Sequence, residues 1–242
     1  MDRPRIVSRA EWLAERKLHL ANEKRLTRLN EQLAAERRRL PWLRVEKRYE
    51  FEGPNGMETL ADLFGDKSQL IVNHFMLGPG WKQGCVGCSF GADHVEGALV
   101  HLAQKDVAYV AVSRATLPEI EAFQRRMGWS FKWVSSNRSD FNFDFNVSFT
   151  KEEMEAGRAT YNYEETKPFR EDMQGTSVFA KDESGAVYHT YSSFARGGEA
   201  IVGTYVLLDL TPKGRDENGP NGGLTDWVRH HDLYEDAPAT RH

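Results

Sequence analysis

Cysteine is nearly absent from this chain, with two residues in 242. Two cysteines cannot build the disulfide framework of a small secreted scaffold. Long apolar runs are missing as well. No stretch approaches the roughly 18 apolar residues of a membrane-spanning helix. The most apolar uncharged run, Ser68 to Trp81, carries Asn73, His74 and two glycines. The opening MDRPRIVSRAEW has no apolar segment of the kind a secretory leader needs, so a cytoplasmic location and no membrane partner are the expectations. Neither sign of charge dominates: 32 Lys and Arg stand against 36 Asp and Glu, a net −4, with no general pull toward nucleic acid. The chain has no GxGxxG after a strand, no P-loop lysine and no nucleophile elbow. Bound nicotinamide, nucleotide and serine-hydrolase chemistries are therefore not expected, and no cofactor is implied.

What is present reads as a globular α/β protein. Hydrophobic residues make up 40% and charged residues 28%, and the length suits one domain with additions or two small domains. The charge is uneven, since residues 1–50 hold 14 Lys or Arg against 8 acids. Ser8 to Leu40 predicts one long helix, opened by the capping-box pair Ser8 and Glu11 and stopped by Pro41. Leu26, Leu29, Leu33 and Leu40 form a seam that either wraps the domain or makes a homodimer plausible. The organisation expected is an N-terminal helical extension over 1–44, a domain over 45–214 and a tail over 215–242.

Within the domain, Gln69 to Leu77 (QLIVNHFML) and Val107 to Ser113 (VAYVAVS) read as strands buried on both faces. Cys88 to Gln104 and Leu117 to Met127 read as helices, and Phe131 to Ser135 as a third strand. The order β–α–β–α–β implies a parallel sheet covered by helices. Ser139 to Thr150 reads as irregular or partly extended, and the polar stretch to Arg170 as a surface excursion. Ser177 to Lys181 and Ala186 to Ser192 flank a Gly-containing turn and read as a hairpin; Gly198 to Leu210 fits a last helix.

The two cysteines stand together as Cys85-Val86-Gly87-Cys88, directly after a buried strand and before a helix. Residues three apart share a helix face. A helix N-terminus stabilises an anion, so Cys85 is the expected nucleophilic thiolate and Cys88 the resolving thiol. Two other readings stay open: inert buried thiols, or a zinc site in which His74 and His94 complete the ligand set. Position adds further candidates. Ser113 and Arg114 close a strand at the same rim. Arg114 either steadies a thiolate or pairs with an acid such as Glu119, and Trp81 is either a site wall or a loop anchor. His74, mid-strand, reads as a core histidine.

The phrases FEGPNGMETLADLF, LIVNHFMLGPGW, GCVGCSFGADHVEG, VAVSRATLPEIEAFQRRMGW, SDFNFDFNVSF, SVFAKDESGAVYHTYSSFARG and GTYVLLDLTPKGRDE carry a resemblance. From about Tyr49 to Asp216 the chain resembles domain of unknown function 899, a bacterial family of thioredoxin-like proteins described as predicted dithiol-disulfide oxidoreductases. The resemblance implies a thioredoxin-like (peroxiredoxin-like) mixed sheet flanked by helices, with Cys85 and Cys88 as the redox pair. It implies a reductant of thioredoxin or glutathione type and a disulfide or peroxide substrate. Two departures stand out. Gly84 replaces the tryptophan that thioredoxins carry before the first cysteine. Thr176, in Gln174-Gly175-Thr176-Ser177, stands where they carry a cis-proline, and so is expected beside the sulfurs. Thiol-disulfide exchange, thiol peroxidase activity and a non-catalytic assembly module are the functions to separate.

Overall fold

Ser8 caps the first helix as its neighbours dictate: its hydroxyl accepts from the Glu11 N–H, and the Glu11 carboxylate accepts from the Ser8 N–H. The helix, α1, runs Arg9–Arg37 and carries its own ion pair, Arg16 to Glu23 at 2.8 Å. In the computed structural model, which describes residues 4–217 and 227–235, the chain divides into a unit ending at Pro41 and a unit beginning at Trp42.

The second unit is built on one sheet. Its elements in order are β1 (Leu43–Arg44), β2 (Glu50–Gly53), β3 (Gly56–Thr59), β4 (Gln69–His74), α2 (Val86–Asp93), α3 (Leu99–Gln104), β5 (Val107–Ser113), α4 (Leu117–Met127), β6 (Lys132–Ser135), α5 (Phe141–Asp144), α6 (Lys151–Ala156), β7 (Ala159–Tyr161), β8 (Glu164–Thr166), β9 (Gly175–Lys181), β10 (Val187–Phe194) and α7 (Gly203–Leu208). Eight strands pair in the order β1-β10-β9-β4-β5-β6-β2-β3, while β7 and β8 form a separate hairpin. The central strands β4, β5 and β6 are parallel, as their helical crossovers require. The hairpin β9–β10 adds antiparallel to β4. A parallel βαβ half, an antiparallel hairpin and a closing helix make up the thioredoxin-like arrangement.

Period-two alternation divides the core between the two faces of the sheet. Leu70, Val72, Val110, Val112 and Phe179 pack with Phe51, Phe64 and Phe141 on one face. Phe75, Ala111 and Trp133 pack under Ala92, Ile120 and Phe123 on the other, beneath α2 and α4. Each of these large side chains buried from water contributes about 1.5–3 kcal/mol. Helix α4 has the limits its sequence gives it. Thr116 and Glu119 form a capping box, Pro118 sits in the first turn, and Gly128 ends it at φ +66°, where a side chain would be strained.

Three expectations need correction. Cys88 to Gln104 is not one helix: α2 stops at Asp93, a 3-10 turn covers Glu96–Ala98, and α3 follows. Gly198 to Leu210 likewise splits into a 3-10 segment, Ala195–Ile201, and the short α7. Ser139 to Thr150 is irregular with one bridged, extended position, Ser148 opposite Asp172, except that Phe141–Asp144 is helical and buries Phe141 completely in the core. In addition, residues 227–235, inside the segment expected to be a tail, bury Val228 and His230 against the domain.

Candidate dithiol site

Strand β4 ends at His74, and a loop brings the chain back over its end, where the Cys85 N–H donates to the Met76 carbonyl at 3.0 Å. Cys85 is then the N-cap of α2, and its carbonyl accepts the first helical hydrogen bond, from the Ser89 N–H at 2.9 Å. Cys88 lies one turn further in. Both thiols are free and half-buried. Gly84 makes this approach possible. A Cβ there would sit 2.5 Å from Phe75 and 2.8 Å from Phe123, two core rings that cannot both give way. Gly84→Ala is expected to lower unfolding stability by about 1–3 kcal/mol by overpacking. Urea unfolding of the reduced protein measures it, and a loss below a few tenths would show that the loop accommodates the methyl group.

The electrostatics separate the two sulfurs. The Cys88 thiol donates to the Cys85 sulfur, the largest influence. The Gly87 and Cys88 N–H groups and the Arg170 charge act in the same direction, against burial, and bring Cys85 from an ordinary 9.0 down to about 6. The same hydrogen bond, together with burial and the neighbouring Cys85 charge, pushes the Cys88 thiol well up. Cys85 is therefore the thiolate and Cys88 the thiol at neutral pH. The alkylation rate of reduced protein is expected to rise through a midpoint near pH 6 and to mark Cys85, with Cys88 reacting only in alkali. Peptide mapping after iodoacetamide treatment checks this, and a single midpoint above pH 8 would contradict it.

Both cysteines line a pocket of about 160 Å³ together with Asn73, Phe90, Thr176, Val202 and Tyr205. Thr176 pairs in register with Asn73 across β9 and β4. The walls are fixed from behind. His94, which ends α2, donates from Nδ1 to the Phe90 carbonyl at 2.7 Å. Its Nε2 accepts from the Thr204 N–H at 3.0 Å, tying α2 to the start of α7. Tyr161 of β7 donates to the Gln174 carbonyl at 2.8 Å and accepts from the Ala195 N–H at 3.0 Å. The surface excursion thus braces the pocket rim. A larger cavity, about 330 Å³, lies on the other face of the sheet among Lys47, Tyr49, Asp144, Tyr163 and His189, and it holds neither cysteine.

Ser113 and Arg114 do not join the pocket. The Ser113 hydroxyl donates to the Phe75 carbonyl at 2.7 Å and accepts from the Trp133 indole at 3.0 Å, wholly inside the core. Arg114 forms a two-pronged pair with buried Asp172, at 2.6 and 2.8 Å. Glu119, its expected partner, instead caps α4. Trp81 lies outside the pocket, half-buried against the α4-side core, with the Arg170 guanidinium 5.9 Å from its ring centre. This is the geometry of a loop anchor.

The four residues of the zinc reading are not brought together. His74 lies on the opposite face, stacked on Phe141 and bonded to Ser177 at 2.9 Å, and burial pushes its pKa down to about 3. Both His94 nitrogens are engaged, as above. Among the described residues no group of three or more His, Cys, Asp or Glu side chains is placed to hold a metal ion.

Sequence reasoning passed over three residues of this neighbourhood. Asn73 interrupts an apolar strand on the face opposite His74, and that alternation was its signal. Tyr109 lies on the same face of β5. His230 donates to the Gly84 carbonyl at 3.0 Å and packs on Phe123, a contact spanning 146 positions that nothing local announces.

A bacterial family described as a protein of unknown function, DUF899, matches residues 1–234. No curated protein matches the sequence. Among solved structures, the chain is similar to a cysteine-to-serine mutant of peroxiredoxin Q from Xanthomonas campestris, at 12% identity and a TM-score of 0.43, over 67% of this chain and 91% of that one. It is similar to the peroxidoxin BcpB of Mycobacterium tuberculosis at 12% identity and a TM-score of 0.44, over 68% and 94%. A thioredoxin peroxidase I from Plasmodium yoelii gives 13% identity and 0.41, over 67% and 86%.

Proposed function

We propose that this chain, which belongs to the DUF899 family of bacterial proteins, is a thiol-disulfide oxidoreductase with Cys85 as nucleophile and Cys88 as resolving thiol. One observation carries the reading: two free sulfurs share the first turn of a helix and a single pocket, and they differ sharply in proton affinity. The Cys85 thiolate attacks one sulfur of a substrate disulfide, and the other leaves as a thiolate that takes a proton from water. Cys88 then gives its proton to solvent and attacks Cys85. The Cys85–Cys88 bond forms, the mixed disulfide breaks, and the second substrate thiol departs. The substrate gains two electrons and the pair loses two. A thiol reductant of thioredoxin or glutathione type resets the pair by the reverse exchange.

A thiol peroxidase uses the same atoms, and the small volume of the pocket favours keeping it as a second reading. There Cys85 is oxidised by a hydroperoxide to a sulfenic acid, the alcohol leaves, and Cys88 condenses with the sulfenic acid to give the disulfide and water. One experiment serves both. Intact mass after alkylation in graded glutathione buffers is expected to show a single two-electron transition joining Cys85 and Cys88. Peroxide added to the reduced protein then separates the readings: disulfide formation at bulk-thiol rates supports exchange, and rapid formation supports the peroxidase. Two cysteines that stay reduced across the whole series would remove both.

A further inference from the structure

Resolution requires a thiolate at Cys88, and burial of that sulfur disfavours the charge. The polar side chains on the elements around it indicate what eases the step. On its own helix the neighbour is Cys85, whose charge is spent once the mixed disulfide forms, so burial is what stands against the Cys88 thiolate at this step. On β7, Tyr161 lies within electrostatic reach, but its hydroxyl is already committed to Gln174 and Ala195. On β5, Tyr109 shares the sheet face that α2 covers, and both Tyr109 and Cys88 pack against the same core cluster. Asn73 pairs with Ala111, so Tyr109 is its diagonal neighbour, within reach of a long side chain. The Tyr109 hydroxyl is shielded from water and completes no hydrogen bond of normal length and angle. Burial is the largest influence on it, and Asn73, the Cys88 sulfur and the Glu96 carboxylate act on it as well. A buried hydroxyl without a partner is a cost that folding alone does not explain.

We infer that Tyr109, assisted by Asn73, is the positioning residue for Cys88: its hydroxyl donates a hydrogen bond to the thiolate that exists only while the mixed disulfide on Cys85 is being resolved. The hydroxyl keeps its proton throughout. The Cys88 proton passes to solvent and the electron pair of the Cys88 sulfur forms the new S–S bond, as in the exchange above, on which this inference rests.

Tyr109→Phe removes only the hydroxyl. In single-turnover reactions with hydroxyethyl disulfide, the rate of resolution relative to the rate of attack is expected to fall about tenfold, as for a hydrogen bond to a charged group. The pH at which resolution is half-maximal should rise by about one unit. Since the hydroxyl has no well-formed hydrogen bond in the resting protein, urea stability should stay level or increase, which a purely structural role does not predict alongside slower chemistry. Asn73→Ala should shift the same ratio in the same direction. A Tyr109→Phe protein that keeps the wild-type ratio and pH profile would overturn the inference. A wild-type protein that never forms the Cys85–Cys88 disulfide would instead overturn the reading beneath it.

Discussion

A Cys88→Ser protein is expected to stop halfway, holding its substrate as a covalent adduct on Cys85. The serine hydroxyl cannot displace a thiol from the mixed disulfide, while the thiolate at Cys85 still attacks. Turnover should fall by about a thousandfold or more in either cysteine variant, as when a nucleophilic group is deleted, but only Cys88→Ser should accumulate the adduct. Intact mass before and after dithiothreitol shows it directly. The hydrogen bond from Cys88 is also the chief cause of the lowered Cys85 pKa. The alkylation midpoint of Cys85 should therefore move upward in Cys88→Ser, because a serine hydroxyl is a different donor at a different distance. If Cys85→Ser keeps its turnover, the nucleophile lies elsewhere and the dithiol reading is lost.

The second large effect concerns stability. Asp172→Ala is expected to cost about 3–5 kcal/mol, because it strands the charge of Arg114 in a site where little water reaches it. The pair is almost closed off, with side-chain exposures of 15% for Arg114 and 5% for Asp172. The Ser148 hydroxyl also donates to the carboxylate, at 2.6 Å. Gly78 shows how tightly the group is packed: a Cβ there would lie 2.8 Å from the Asp172 carboxylate and 2.8 Å from the Trp81 indole nitrogen. Urea unfolding measures the loss. A double replacement, Arg114→Met with Asp172→Leu, should recover much of it, since an apolar pair of similar volume does not have to be desolvated. A loss under about 1 kcal/mol in the single variant would mean that the guanidinium finds water or another acid, with Glu171 at 3.5 Å the nearest at hand.

These sites show how far a sequence can be read. VAYVAVS predicted β5 residue for residue, because a strand buried on both faces leaves only apolar side chains to choose from. The limits of α4 were legible because the capping box, the proline and the glycine act locally. Where the reading failed, distant contacts had overridden local pattern. FNFDFNVSF alternates like a strand, yet its first turn is helical so that Phe141 can meet Phe51 and Tyr49 across the core. The helix after the cysteines breaks at His94, whose ring is held by Thr204, 110 positions away.

The site divides in the same way. Cys85 and Cys88 announce themselves by spacing, and Thr176 by its register. Ser113 and Arg114 sit where a rim residue should, but Ser113 turns inward to a carbonyl and Arg114 to an acid 58 positions away. No spacing rule contains that information. Trp81 is the anchor rather than the wall for a comparable reason: its indole is taken up by the core beneath the loop.

The ends of the sheet have a consequence for how the protein meets other chains. One border is a strand of two residues, Leu43–Arg44, and the other is a strand of four, Gly56–Thr59, which follows immediately on a turn. A foreign strand docking on either of these two short strands would find only a few unpaired amide and carbonyl groups of theirs before the ladder ran out. Neither of these two strands gives fibril-like growth or strand addition much template.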